Sequence, residues 1–360
     1  MKWKPDWPEA RENHIRWWLG EGMVLWLTAP RRQPIEPIAE PVRPDGLRSS
    51  WTDPKYRCDA AEYHMSRTAF YAEAFPFLDA QIGPGSLGTF LGAEPGFAET
   101  TVWYEPCIDE PDTYGSIRFE ATGNKWLDAH LALIDEALRR ADGRYLVGMP
   151  DLIENLDTLA AMRGNEAVLI DLVERPGWVI DRIAEINEAF FAAFDLIFDR
   201  IRDEDGGNVF SAFDPWGPGK TAKVQCDIAC MLSPAMFRRF VVPALSAQCQ
   251  WLDYSLYHLD GEDAMQHLDC LLEIEPLDAI EWTPRMLYTG SANEAGGSPK
   301  WYDLYRRIKE GGKGVQAIAV RPDQVVPLLD AVGPAGMYVS VGAPDEKAAE
   351  KLLKDTEPFR

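Results

Sequence analysis

From about residue 206 to the carboxyl end, short apolar runs alternate with amphipathic ones. "GGNVFSAFD" (206–214), "YSLYHL", "LDAIEW", "GVQAIAV" and "GMYVSVG" are rich in β-branched and aromatic residues and read as strands. The segments between them have helical spacing. "SPAMFRRFVVPALSAQCQWLD" opens with Ser233 as N-cap and Pro234 at the first helical position, "GEDAMQHLDCLLEI" places Ala264, Leu268, Leu271 and Leu272 on one side, and "SPKWYDLYRRIKEGG" stops at Gly311. "PDQVVPLLDAVG" and "PDEKAAEKLLKD" continue the alternation. Upstream, "GRYLVGM" (143–149) reads as a strand before "PDLIENLDTLAAMRG", "GWVIDRIAEINEAFFAAFDLIFDRIRDED" as one long helix, and "GMVLWLTAP" (22–30) as a further strand. Strands alternating with helices predict βαβ units and a parallel sheet. Seven parallel strands are legible, with room for one more in the less regular 75–120 region. That number suits an α/β fold of the (αβ)8 TIM barrel type better than an open sheet of five or six strands. Residues 1–360 read as a single barrel domain, with an irregular excursion at about 30–120 over the barrel mouth, where Trp51 argues for order.

Barrel enzymes keep their chemistry at the carboxyl ends of the strands, so polar residues there become candidates. In "YSLYHLDGED", residues two apart share a face, which places Tyr254, Leu256, His258 and Asp260 together, with the last two at the strand's end. The competing reading is a buried polar pair that ties down a loop. The same rim collects Asp151, Glu154 and Asn155 from "VGMPDLIEN", Asp214 and Trp216 from "SAFDPWG", Glu281, Trp282 and Arg285 from "AIEWTPR", and Arg31 and Arg32 from "LTAPRR". Asp151 and Glu154 straddle a helix start, where acidic residues also serve as caps. Glu105, after the aromatic strand "VWYE", is a further candidate, as is Tyr257 beside His258. His267 falls on the following helix and reads as a packing residue.

Composition narrows the partners. The formal net charge is −22, which repels nucleic acid and anionic membrane surfaces. The start lacks an apolar leader and no run of about 18 apolar residues occurs, so a cytoplasmic protein is expected. Six cysteines without framework spacing read as reduced thiols. "WGPGKT" fails as a phosphate loop because Asp214 stands where the first glycine is required, and no other nucleotide motif occurs, so no nucleotide cofactor is expected. Cys226 and Cys230 are spaced poorly for zinc.

"SPAMFRRFVVPALSAQ", followed by a strand ending in "YHLDG", a helix and "LDAIEW", resembles the uroporphyrinogen decarboxylase superfamily, which includes methyltransferases that pass methyl groups to or from corrinoid proteins. The resemblance spans 140–345, is weaker at "VLWLTAPRR", and is absent over much of 35–120. It implies a single barrel with a central cleft. It departs from the thiol-directed methyltransferases, which carry His-x-Cys where this chain has His258 and Asp260, and a second cysteine near Ala343. It departs equally from the decarboxylases, whose arginine-rich loop is reduced here to Arg31 and Arg32. The expectation is an enzyme acting on a small organic substrate, by methyl transfer or demethylation first, with a metal-free decarboxylase (lyase) or a non-catalytic binding barrel as alternatives. His258, Asp260, Asp151 and Asp214 are the catalytic candidates. Arg31, Glu105, Glu154, Asn155, Trp216, Tyr257 and Trp282 are candidates to bind substrate. A zinc ion on His258 and Asp260, a corrinoid carried by a partner protein, and a homodimer are what the resemblance leaves open.

Overall fold

The structure, a computed structural model, describes residues 1–360 apart from the side chain at position 288. Thirteen strands occur in chain order: β1 (Val24–Pro30), β2 (Thr68–Ala72), β3 (Phe77–Leu78), β4 (Glu94–Phe97), β5 (Val102–Glu105), β6 (Leu146–Val147), β7 (Asn208–Val209), β8 (Trp216–Gly217), β9 (Thr221–Gln225), β10 (Tyr254–Asp260), β11 (Ala279–Thr283), β12 (Gly314–Val320) and β13 (Met337–Gly342). Seven form one sheet in the order β2-β1-β13-β12-β11-β10-β9. Within it β2 runs antiparallel to β1 and the other pairings are parallel.

A second parallel group is built from β3 and β6, extended by a bridge between Met149 and Phe210 just beyond β7. Two side-chain clamps tie the groups together. The Glu73 carboxylate, between β2 and β3, accepts from the Leu25 backbone N–H at 2.8 Å. At the other seam the Asn208 amide donates to the Thr221 carbonyl at 3.0 Å and accepts from its N–H at 2.9 Å. The predicted α/β architecture with a mostly parallel central sheet is therefore present. The continuous hydrogen-bonded ring of an eight-stranded barrel is not found among the described residues, because Glu73 and Asn208 stand in for ladder bonds at the seams.

Strand alternation sorts the interior into two cores. Val24, Trp26, Leu256, Ala279 and Tyr338 on one face pack with Trp7, Phe75 and Trp216. The opposite positions, including Leu25, Tyr257, Leu259, Ile280, Trp282 and Val339, meet the surrounding helices. The period of two explains the separation, since successive side chains leave a strand on opposite sides. The long helix Pro176–Ile201 buries Val179, Ile183, Ile186, Phe190, Phe194 and Ile197, a stripe at three- and four-residue spacing. Ser233 caps Pro234–Phe240 by accepting from the Met236 N–H at 3.3 Å, as its sequence predicts.

The 30–120 excursion contains three helices, Leu47–Thr52, Pro54–Ser66 and Ser86–Phe90, and the β4–β5 hairpin. The Trp51 indole donates to the Ala98 carbonyl at 2.8 Å and Arg43 pairs with Glu99 at 2.6 Å, which pins the strap to that hairpin. No helix among the described residues is long and apolar enough to cross a membrane.

Candidate functional site

Parallel pairing puts His258 directly opposite Glu281, at the carboxyl ends of neighbouring strands. The histidine Nδ1 lies 2.6 Å from Glu281 Oε2, and Thr283 Oγ1 donates to Glu281 Oε1 at 2.9 Å. A carboxylate at that distance assigns the proton of the neutral ring to Nδ1, so that in this form Nε2 carries the lone pair. The imidazole packs on Phe213, ring centroids 4.6 Å apart. Burial works against a charged ring, yet the adjacent Glu281 carboxylate outweighs it and holds the His258 pKa above its ordinary value. Glu281 is itself raised, first by burial, with His258 opposing.

Two further carboxylates complete the cluster. Asp260 ends β10, and Asp227 sits on the 3-10 turn Asp227–Met231 that follows β9. Asp227, His258 and Asp260 can each offer one ligand atom, all within 4.8 Å of one another. The Asp227 Oδ1 lies 3.9 Å from His258 Nε2. Asp157 fixes the turn: its carboxylate accepts from the Gln225 side-chain amide at 2.9 Å, the Asp227 N–H at 2.7 Å and the Ile228 N–H at 3.0 Å. Partial burial, and then the like charge of Asp157, push the Asp227 pKa up.

Beneath this cluster is a buried polar network. Lys223, on the same face of β9 as Gln225, pairs with Asp151 at 2.8 Å and also donates to Gln225 Oε1. Two charges almost fully removed from solvent survive together because each satisfies the other. Glu154 Oε1 accepts from the Gln225 N–H at 2.8 Å, while Oε2 has no protein partner. Burial lifts its carboxyl to about 8, with Lys223 opposing, so it is mostly protonated at neutral pH. Its neighbours Ile153 and Asn155 have φ of 48° and 62°, a left-handed conformation costly for a β-branched residue. Asp214 shares that conformation at φ 60°, and burial, then Asp79, raise its carboxyl to about 7.

A cavity of about 510 Å³ adjoins the cluster, with Asp227 and Gln225 in its wall. Trp103 and Tyr104 of β5, Ile153, Asp157 and Met231 form other parts of the lining.

The candidates separate accordingly. His258 and Asp260 fall in the cluster, Asp151 and Glu154 lie in the network below it, and Asp214 is placed beside Phe213 on the loop packed against His258. Asn155 is buried next to Glu154, with its side-chain nitrogen unpaired. Arg31 is elsewhere: its guanidinium donates to the Thr68 carbonyl at 2.9 Å and fastens β1 to β2. Glu105 is exposed and accepts from the Trp103 indole at 3.1 Å, outside the cavity that its neighbours line. Trp216 is fully buried at the opposite level of the sheet interior, its indole donating to Asp203 at 2.9 Å. Tyr257 and Trp282 occupy odd and even positions that alternation turns outward, and Trp282 packs on Trp301 in the helix layer. These four, with Arg31, stand as scaffold rather than as walls of the cluster.

Sequence reading missed Asp227, Asp157 and Lys223, and saw Glu281 without its role. Lys223 and Gln225 alternate in "TAKVQCD", the period of a strand with a polar inner face, and that signal was available.

No protein-family model matches the chain, and no curated protein does. Among solved structures, the fold is similar to that of a methyltransferase from Methanosarcina mazei, with a TM-score of 0.60 at 11% identity, the match covering 97% of this chain and 98% of that one. At that identity the likeness establishes a shared fold over nearly the whole length.

Proposed function

We propose that the protein is a metal-dependent enzyme of one-carbon chemistry, which removes or transfers a methyl group on a small organic substrate. The observation that carries this reading is the Asp227, His258 and Asp260 donor set, braced from behind by Glu281. One imidazole and two carboxylates suit a divalent ion such as zinc and leave coordination positions open. A metal-binding histidine characteristically has its other nitrogen held by a carboxylate or carbonyl, and Glu281 holds Nδ1 in that way. When bound, such an ion would supply Lewis-acid activation of the atom from which the methyl group departs. Glu281 and Thr283 orient the imidazole, Asp157 orients Asp227, and the Glu154 and Asp214 carboxyls, raised by burial to about 8 and about 7, are acids able to release a proton near neutral pH. The fold shared with a methyltransferase supports the reaction class, and the resemblance carried by "SPAMFRRFVVPALSAQ" and "YHLDG" points to a corrinoid protein as methyl acceptor. The decarboxylase reading draws no support from the Asp227, His258 and Asp260 cluster, since Arg31 lies apart from it, with its Nε on the Thr68 carbonyl.

The test is product analysis. Wild type and His258→Ala would be incubated with methylated and methoxylated compounds and a reduced corrinoid acceptor, and demethylated product followed by mass spectrometry. Product from wild type alone is expected. Undiminished turnover in His258→Ala, or carbon dioxide release in place of methyl transfer, contradicts the proposal.

A further inference from the structure

Inward positions at one level of the sheet line up across four strands. Pairing sets His258 opposite Glu281, Glu281 opposite Gln316 and Gln316 opposite Tyr338. The first two belong to the candidate metal centre. Gln316 and Tyr338 are equally buried, yet they hydrogen-bond none of its members. Their polar ends reach the loop between β7 and β8 instead. The Gln316 side-chain amide donates to the Phe213 carbonyl at 2.6 Å, and the Tyr338 hydroxyl donates to the Asp214 carbonyl at 3.3 Å. At its base the same loop is closed by the Phe210 N–H on the Pro215 carbonyl at 3.0 Å.

What these donors hold is a strained turn. Phe213 and Asp214 are consecutive non-glycine residues with φ of 65° and 60°. That left-handed conformation costs free energy for a residue with a Cβ, so it persists only where the surroundings impose it. Its product is the position of one ring: Phe213 lies on the imidazole of His258, centroids 4.6 Å and planes 30° apart. The imidazole needs such a contact. Glu281 fixes its Nδ1 at 2.6 Å, but one strong hydrogen bond leaves the ring able to pivot about that bond. An aromatic face laid against it removes the pivot and keeps water from the bond, since the histidine side chain is only 10% exposed. Nε2 is thereby kept on the side of Asp227, 3.9 Å away.

We propose that Gln316 is a positioning residue for the candidate metal centre and acts through Phe213. Its amide holds the left-handed turn, the turn lays the Phe213 ring on His258, and the ring fixes the direction of Nε2. The proposal rests on the metal-dependent reading and adds to it the device that aims its histidine.

Two measurements on the full-length protein test it: zinc affinity against a competing chelator and, without metal, hydrogen exchange of the His258 Nδ1 proton by NMR. Gln316→Met keeps the side chain's length and removes its donor. Phe213→Gly removes the ring, and glycine adopts a φ near 65° without cost, so the turn survives. Each variant should weaken zinc by about tenfold. The double variant should bind no more weakly than Phe213→Gly alone, because the two residues act as one unit. The Nδ1 proton should exchange faster in all three than in wild type. Circular dichroism checks folding, and Gln316→Asn, too short to reach the Phe213 carbonyl, replaces Gln316→Met if that variant does not fold. Unchanged zinc affinity in either folded single variant overturns the proposal. So do independent losses that multiply to about a hundredfold in the double variant. If wild type takes up no zinc, the metal reading fails and the exchange data decide. Faster exchange in the variants then upholds the positioning role, and unchanged exchange overturns it.

Discussion

At the scale of single residues, Glu281 is the group on which the candidate site depends most. It is fully buried, yet it spends its oxygens on His258 and Thr283 alone. Glu281→Gln should keep the shape of the pair but remove the charge that orients the ring and raises its basicity. Loss of such a partner typically lowers metal affinity by about 10- to 100-fold. Titration of zinc against a competing chelator measures this, and unchanged affinity would show that the ring is not held for a metal. Glu154 gives a second prediction. Its folded pKa of about 8 stands above the ordinary 4.5, so its contribution to stability is complete below pH 4.5 and is lost as pH rises toward 8. Glu154→Gln cannot ionise, and its melting temperature relative to wild type should climb steadily from pH 4.5 to 8. A difference independent of pH would mean that Glu154 is already charged in the folded protein.

At the scale of elements, the turn after β9 is secured by one side chain. Asp157 supplies acceptors for two backbone N–H groups and one amide, and Asp157→Ala would leave these donors to water or unpaired, at a cost of about 1–3 kcal/mol for each group that stays buried. Faster hydrogen exchange at Asp227 and Ile228, with little change in β10 and β11, is expected. Exchange that rises equally across the sheet would point to a global role instead. The elements also show what the sequence made legible. Alternation in "YSLYHLD" correctly grouped His258 with Asp260, because strand parity is a local property. The same parity places Glu281 inward and Trp282 outward, and applying it to "AIEWT" would have exchanged one for the other. Asp227 carried no such signal, because its place comes from a 3-10 turn held by Asp157, 70 residues earlier in the chain. Arg31 lies apart from the cluster with its Nε on the Thr68 carbonyl, a placement that only tertiary contacts reveal.

At the scale of the whole molecule, the alternation of strands and helices predicted a parallel α/β architecture, and the shared fold with a methyltransferase extends over nearly the full chain. The seams were not legible, since replacing ladder bonds by Glu73 and Asn208 leaves no periodic mark. Glu73 also accepts from Asn13 at 2.9 Å and pairs with Arg360 at 2.7 Å, so it joins the first helix, the sheet and the last residue. Glu73→Ala should be destabilising by about 1–3 kcal/mol, chiefly the cost of leaving the buried Leu25 N–H without its acceptor while the exposed Arg360 turns to water, read as a shift in the denaturant midpoint. A shift below 1 kcal/mol would mean that the seam closes without it.

Asp227, His258 and Asp260 are proposed to form a metal centre. Metal content of untagged protein by plasma mass spectrometry, wild type beside His258→Ala, tests it most directly. About one equivalent of zinc or another divalent metal per wild-type chain is expected, and its loss from the folded variant. Metal-free wild type that also takes up no added zinc, or full occupancy retained in His258→Ala, would contradict it.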